Sequence, residues 1–327
     1  MILTYEQLTS ITRGADHTRI DSRGHVALCR CTDAQVAAYG NDGAKCHLTA
    51  GIRFDFYTDS EEISFDYCIR RRASVRWMSV DLYADGVMVA EDYKNTHQSY
   101  DTYTFTHHFG DKTRRRITIY LPYMVDIRIM EFRLDDDAEV TPYTTYSGAM
   151  LCFGDSITHG YHASYSSCTY PAMISRFFNY DFSNQGNAGY IFDANTIDPE
   201  QNFKPDLITV AFGTNDWSKL PSAEEYDSRA EAFFARLDEA YPGIPVYGIL
   251  PLWREDDWRP KPTGAFADTR ARLAQIMAAH GCIIVDGMKA VPHVPEFFAD
   301  YRLHPNDLGF AFYAQEMIRV ISEQQKK

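Results

Sequence analysis

The hydrophobic period of this chain changes near residue 145, and that change restricts the folds open to it. Before it, apolar residues recur at every second position. Ile63-Ser64-Phe65-Asp66-Tyr67-Cys68-Ile69 alternates in this way, as do Tyr103–Phe109, Ile117–Leu121 and the ten residues Val125–Leu134. Side chains two apart share one face of a strand, so these runs predict half-buried strands. Asp85-Gly86, between Val80–Tyr83 and Val87–Ala90, predicts a hairpin. Many short strands with no strong helix between them predict a β-sandwich, jelly-roll-like, over residues 1–145.

From Ala149 onward, short apolar runs alternate with helical patterns. Strands are expected at Ala149–Phe153, Asp181–Ser183, Asp206–Phe212, Pro245–Leu250 and Cys282–Asp286. Helices are expected at Tyr170–Phe178, from Ser222 onward, at Phe266–His280 and at Asp307–Ser322. Ser222-Ala223-Glu224-Glu225 reads as a capping box and Gly281 as a helix stop. Strand–helix alternation predicts an α/β unit over residues 149–327, with a parallel sheet between helical layers. The acidic, turn-rich stretch from Asp135 to Gly148 is the expected boundary, a solvated loop.

Composition narrows the function. With 327 residues, 45% of them hydrophobic, the chain can bury a large core. Its formal net charge of -13 gives no general attraction to nucleic acid or anionic membrane. No apolar run approaches the roughly 18–20 residues of a bilayer span. Met1–Glu6 lacks a basic region followed by an apolar core, so no secretory signal is read there. The seven cysteines are odd in number and scattered, which predicts free thiols and a cytoplasmic protein. Cys29-x-Cys31 beside His25 falls short of the usual zinc-pair spacing and reads as alternate positions of a strand.

Four loops of the second half carry chemistry, and each follows a strand or precedes the last helix. Gly154-Asp155-Ser156 follows the first strand of the α/β unit. Asn184-Gln185-Gly186-Asn187-Ala188-Gly189 follows the second, and Gly213-Thr214-Asn215-Asp216 the third. His304-Pro305-Asn306-Asp307 opens the closing helix. Open α/β sheets bind ligands at the carboxyl edge of their strands. A serine there is a candidate nucleophile, a histidine its base, and glycine N–H groups with an asparagine amide are candidate oxyanion donors.

These four blocks, in this order, resemble those of the SGNH (GDSL-type) hydrolases. The resemblance covers residues 149–322 and implies a flavodoxin-like three-layer fold and an esterase that needs no metal or organic cofactor. Carried over residue by residue, it implies Ser156 as nucleophile and His304 as base. The oxyanion would be held by the N–H groups of Ser156 and Gly186 and by the Asn215 side chain. One departure stands out. The family's orienting aspartate sits three residues before the histidine, where this chain has Tyr301. Either Asp300 reaches His304 through a bulged loop, or a backbone carbonyl orients it in a Ser-His dyad.

Aromatic and polar side chains near the blocks, namely Tyr161, His162, Tyr165, Trp217, Trp253 and Trp258, suit a sugar ring. Asp155, Tyr161, Trp217 and Trp253 are therefore expected to bind substrate, with simple packing as the alternative for the tryptophans. A β-sandwich ahead of such a unit resembles a group of carbohydrate acetyl esterases, some of which lack the usual aspartate. That implies short-chain acyl esters, acetyl first, of a small molecule or oligosaccharide. A lipid esterase, lysophospholipase or thioesterase is the second enzymatic reading, and a carbohydrate-binding protein with a degenerate hydrolase unit a third. The sandwich would line the substrate groove or bind carbohydrate, or would serve in packing or in a homo-oligomer contact.

Overall fold

The computed structural model describes residues 1–95 and 101–326. Among the described residues sixteen strands form three sheets. One antiparallel sheet runs β1 (Thr12–Arg13), β4 (Arg53–Thr58), β9 (Arg115–Tyr120), β6 (Trp77–Ala84) and β7 (Val87–Asn95), with β11 (Thr141–Pro142) on the far side of β4. The second runs β2 (His17–Ile20), β3 (Val26–Cys29), β10 (Val125–Leu134), β5 (Glu62–Arg72) and β8 (Thr102–His108), also antiparallel. Their inner faces share one core, in which Phe54 meets Phe65 and Phe132 at centroid distances of 6.0 and 5.3 Å. The arrangement is sandwich-like. The hairpin at Asp85-Gly86 forms as the sequence predicts, with both residues at positive φ (49° and 82°).

Helices in this half are a correction to the sequence reading. α1 (Tyr5–Ile11) and α2 (Asp33–Ala38) are short, and a 3₁₀ segment covers Gly40–His47. Thr4 with Gln7 and Thr32 with Gln35 close full capping boxes, which let six- and seven-residue helices persist. Their amphipathic stretches are too short to register as a helical period.

The third sheet is parallel, ordered β13 (Tyr180–Gly186), β12 (Gly148–Gly154), β14 (Leu207–Ala211), β15 (Val246–Ile249) and β16 (Ile283–Val285). Counted along the chain this is the doubly wound order 2-1-3-4-5, whose direction reverses between β12 and β14. The flanking helices are α3 (Ser156–His159), α4 (Tyr170–Phe178), α5 (Thr214–Lys219), α6 (Ala223–Ala240), α7 (Phe266–Ala279), α8 (Gly287–Ala290) and α9 (Asp307–Gln324). Among the described residues no helix is long and apolar enough to cross a membrane.

The two halves are fastened together. Tyr120, Tyr123 and Met124 share a core with Met150, Tyr170 and Phe182. The buried Arg53 donates to Asp181 Oδ1 at 2.6 Å and lies over the Phe182 ring. Buried charge of this kind needs a partner, and Asp181 supplies it.

Candidate active site

The site is built where the sheet order reverses. β12 ends at Gly154, where an added Cβ would meet Thr158 Oγ1 at 2.0 Å, so the chain must be bare there for α3 to fold back. Asp155 caps α3 by accepting the Ile157 N–H at 3.0 Å. Ser156 is the first residue of that helix and is 5% exposed. As a first-turn residue its N–H has no intrahelical acceptor.

His304 comes from the loop between α8 and α9. Ser156 Oγ and His304 Nε2 are 2.9 Å apart, although 148 positions separate them in sequence. His304 Nδ1 lies 2.7 Å from Asp300 Oδ2. The other oxygen, Asp300 Oδ1, accepts the N–H groups of Arg302, Leu303 and His304 at 3.0, 2.8 and 3.0 Å. Burial opposes the Asp300 charge. The bonds from His304 and from the Leu303 and His304 amides outweigh it and hold the carboxyl well below the usual carboxylate range. Of the two ways to orient His304, the carboxylate is thus the one in contact. The extra residue is absorbed at Tyr301, whose φ of 56° puts it in the left-handed region. Ala299 N–H donates to His304 O and Asn306 N–H to Phe297 O, closing the loop into a small ladder. Asn306 then caps α9 through the Gly309 N–H.

Asn215 lies on α5. Burial pushes the Asp216 carboxyl up to about 7, and the carboxyl accepts the N–H groups of Phe192 and Gly213, which fixes the turn. Asn215 Nδ2 donates to Tyr190 O at 3.1 Å, and an amide nitrogen carries a second hydrogen.

Gly186 is not placed as the resemblance implies. Its N–H is spent on Asn184 Oδ1 at 2.9 Å, its carbonyl accepts from Arg30, and a Cβ there would meet His159 N at 2.3 Å. It packs beneath α3. The residues of its loop that line one cavity with Ser156 are Ala188 and Gly189. Gly189 has a φ of 80° and its N–H has no partner among the described residues. Of the two glycines in the block it is thus the second that lies at the cavity, a distinction no local pattern in the sequence marks.

The cavity has a volume of about 510 Å³. Ser156, Tyr161, Ala188, Gly189, Asn215, Leu303 and His304 line it from the second half. Ala44, Lys45, Leu48, Arg71, Arg72, Ala73, Ser74 and Met124 line it from the first, so the sandwich supplies just over half of the wall. Tyr161 joins the two sides, with its ring 4.7 Å from His304 and its hydroxyl 2.8 Å from Ser74 Oγ.

Three expected substrate residues lie elsewhere. Asp155 is buried as a helix cap, and burial pushes its carboxyl up to about 6. Trp217 is fully buried, donates to Gly264 O at 2.9 Å and packs under Arg254 and against Phe266. Trp253 stacks on His293 and meets Phe298, away from the cavity. An aromatic side chain near a motif in sequence was in these cases a packing element.

Residues 152–312, about half of the chain, match the GDSL-like lipase/acylhydrolase family. Among curated proteins none matches the chain. A salicylyl-acyltransferase, SsfX3, from a tetracycline biosynthetic pathway has a similar structure, with a TM-score of 0.81 at 20% identity over 96% of this chain and 94% of that one. A GDSL-like lipase structure from Bacteroides ovatus gives 0.79 at 19% identity, covering 100% and 98%. A family two carbohydrate esterase from Clostridium thermocellum, solved with cellohexaose, gives 0.67 at 12% identity, covering 96% and 98%. At such identities these structures share the fold, including the antiparallel sheets ahead of the parallel one. The chain belongs to the GDSL-like lipase/acylhydrolase (SGNH hydrolase) family and is an ester hydrolase of that type.

Proposed function

We propose that the protein hydrolyses carboxylic esters through an acyl-enzyme on Ser156. His304 Nε2 takes the Oγ proton as the carbonyl is attacked and passes it to the leaving alcohol. Asp300 fixes the tautomer and steadies the imidazolium. The N–H groups of Ser156 and Gly189 and the free hydrogen of Asn215 Nδ2 hold the tetrahedral oxyanion. Water, deprotonated by His304, then releases the acid. The observation that carries this reading is the Ser156–His304–Asp300 chain of contacts, 2.9 and 2.7 Å, at a cavity shared with Gly189 and Asn215.

For the substrate we favour short acyl groups, acetyl first, on a carbohydrate or small polyol. Support comes from the fold shared with family two carbohydrate esterases and from the polar groups Arg71, Arg72 and Ser74 on the cavity wall. The strand orders β3-β10-β5-β8 and β4-β9-β6-β7 also support a jelly-roll reading of the sandwich. A less polar ester is the second reading, favoured by Ala44, Leu48, Ala73, Met124 and Leu303 in the same wall.

The test is acid release from acetylated glycans and from acetyl, propionyl and octanoyl esters, with Ser156→Ala as blank and a serine-directed phosphonate as label. Best turnover on acetyl esters supports the first reading, and best turnover on octanoyl esters the second. No label and no turnover in the native protein would remove both and leave a binding role.

A further inference from the structure

The loop that carries Gly189 is held by cations, and two of them come from the sandwich half. Arg30, itself buried, donates through Nη1 to Asn184 O at 2.7 Å and Gly186 O at 2.6 Å. Its Nη2 donates to Lys45 O at 3.0 Å, tying the 3₁₀ segment to the same loop. Lys45 Nζ donates to Ala188 O at 2.6 Å and is steadied by Asp42 Oδ1 at 2.5 Å. Lys219, at the end of α5, donates to Gly189 O.

We propose that Lys45 is a positioning residue for the oxyanion site, its ammonium holding the Ala188 carbonyl so that the Gly189 N–H faces the reacting carbonyl. This rests on the acyl-enzyme reading above. Ala188 C=O and Gly189 N–H are the two ends of one planar trans peptide and point in opposite directions. Fixing the oxygen therefore fixes the hydrogen. A clamp is needed because glycine accepts either orientation of an adjoining peptide with little steric cost. The Gly189 φ of 80° is such a permissive conformation. The lysine bond is charge-assisted, and charge on the carbonyl oxygen polarises the peptide and strengthens its N–H as a donor. A preorganised donor needs no reorganisation when the oxyanion forms. The 3₁₀ segment of the first half would thus act on the chemistry without touching the ester.

The experiment compares Lys45→Met and Lys45→Arg with the native protein on an acetyl ester. It also measures affinity for a trifluoromethyl ketone, which forms a tetrahedral adduct with the serine. Removing an oxyanion donor outright costs about 100- to 1000-fold in kcat, so misaiming one is expected to cost about 10- to 100-fold. KM should stay within about twofold, because the interaction strengthens only in the transition state. Ketone affinity should fall in step with kcat/KM, and Lys45→Arg should recover most of both. A raised KM with unchanged kcat would make Lys45 a substrate contact and overturn the proposal, as would unchanged ketone affinity. If Lys45→Met does not fold, Asp42→Asn is read instead, with the same pattern expected at smaller size and an unaltered kcat counting against the idea. Phosphonate labelling separates the two levels. A native protein that labels and turns over while Lys45→Met does so equally well removes this inference alone, whereas an unlabelled, inactive native protein removes the hydrolase reading beneath it.

Discussion

The two walls of the cavity are made in different ways. The parallel-sheet wall presents Ser156, Gly189 and Asn215 from turns that leave the carboxyl ends of β12, β13 and β14, with His304 delivered by the loop before α9. The sandwich wall presents Ala44, Leu48, Ala73 and Met124 together with Lys45, Arg71, Arg72 and Ser74, from a 3₁₀ segment and strand ends. One wall has the hydrogen-bonded Ser156–His304 pair and the other has shape and charge. Sheet topology dictates where the first set must lie, since the direction reversal between β12 and β14 opens a crevice at that edge. Nothing comparable dictates the second set, which sits on a 3₁₀ segment and strand ends outside that sheet. Chemistry and selectivity are accordingly expected to separate when the walls are altered one at a time.

The largest effect should come from Ser156→Ala, with turnover lowered by about four orders of magnitude or more and thermal unfolding unchanged. Activity within tenfold of native would break the comparison at its root. Asp300→Asn keeps the shape but favours the wrong imidazole tautomer, so kcat should fall by up to about 10⁴-fold. Because the Asp300 carboxyl is held below its ordinary value of 3.8, it contributes stability above that pH, lost only as the pH falls further. The substitution should therefore flatten acid unfolding, which a pH series of denaturation midpoints would detect. Asn215→Ala should lower kcat by about 100- to 1000-fold with little change in KM. On the other wall, Ala73→Leu should reduce kcat/KM for a bulky ester by about tenfold while acetyl turnover is kept. A loss equal for all esters would show that this part of the sandwich wall takes part in the reaction itself.

Much of the fold was legible in the sequence because its period was long enough to read. The ten-residue alternation at Val125–Leu134 is β10 residue for residue, and Tyr170–Phe178 is α4, with Pro171 in its first turn. α1, α2 and the one-turn α3 were not read, since a helix of four to seven residues has no full hydrophobic repeat. At the site, Ser156, Asn215 and His304 were named from their blocks and lie together at one cavity. Gly186, Asp155, Trp217 and Trp253 do not line that cavity, because proximity in sequence to a motif does not say which side of a strand end a residue faces.

The sequence by itself determined the two rhythms, the parallel sheet and the identity of the side chains at its edge, since these follow from local period and from short motifs. Only the tertiary structure decided that Gly189 rather than Gly186 lines the cavity with Ser156. It alone decided that Tyr301 turns left-handed so that Asp300 meets His304, and that the sandwich lines the cavity and hydrogen-bonds to the carbonyls of Gly186 and Ala188. Those outcomes depend on hydrogen bonds and packing between segments as much as 156 positions apart, as with Arg30 and Gly186, and no local pattern encodes them.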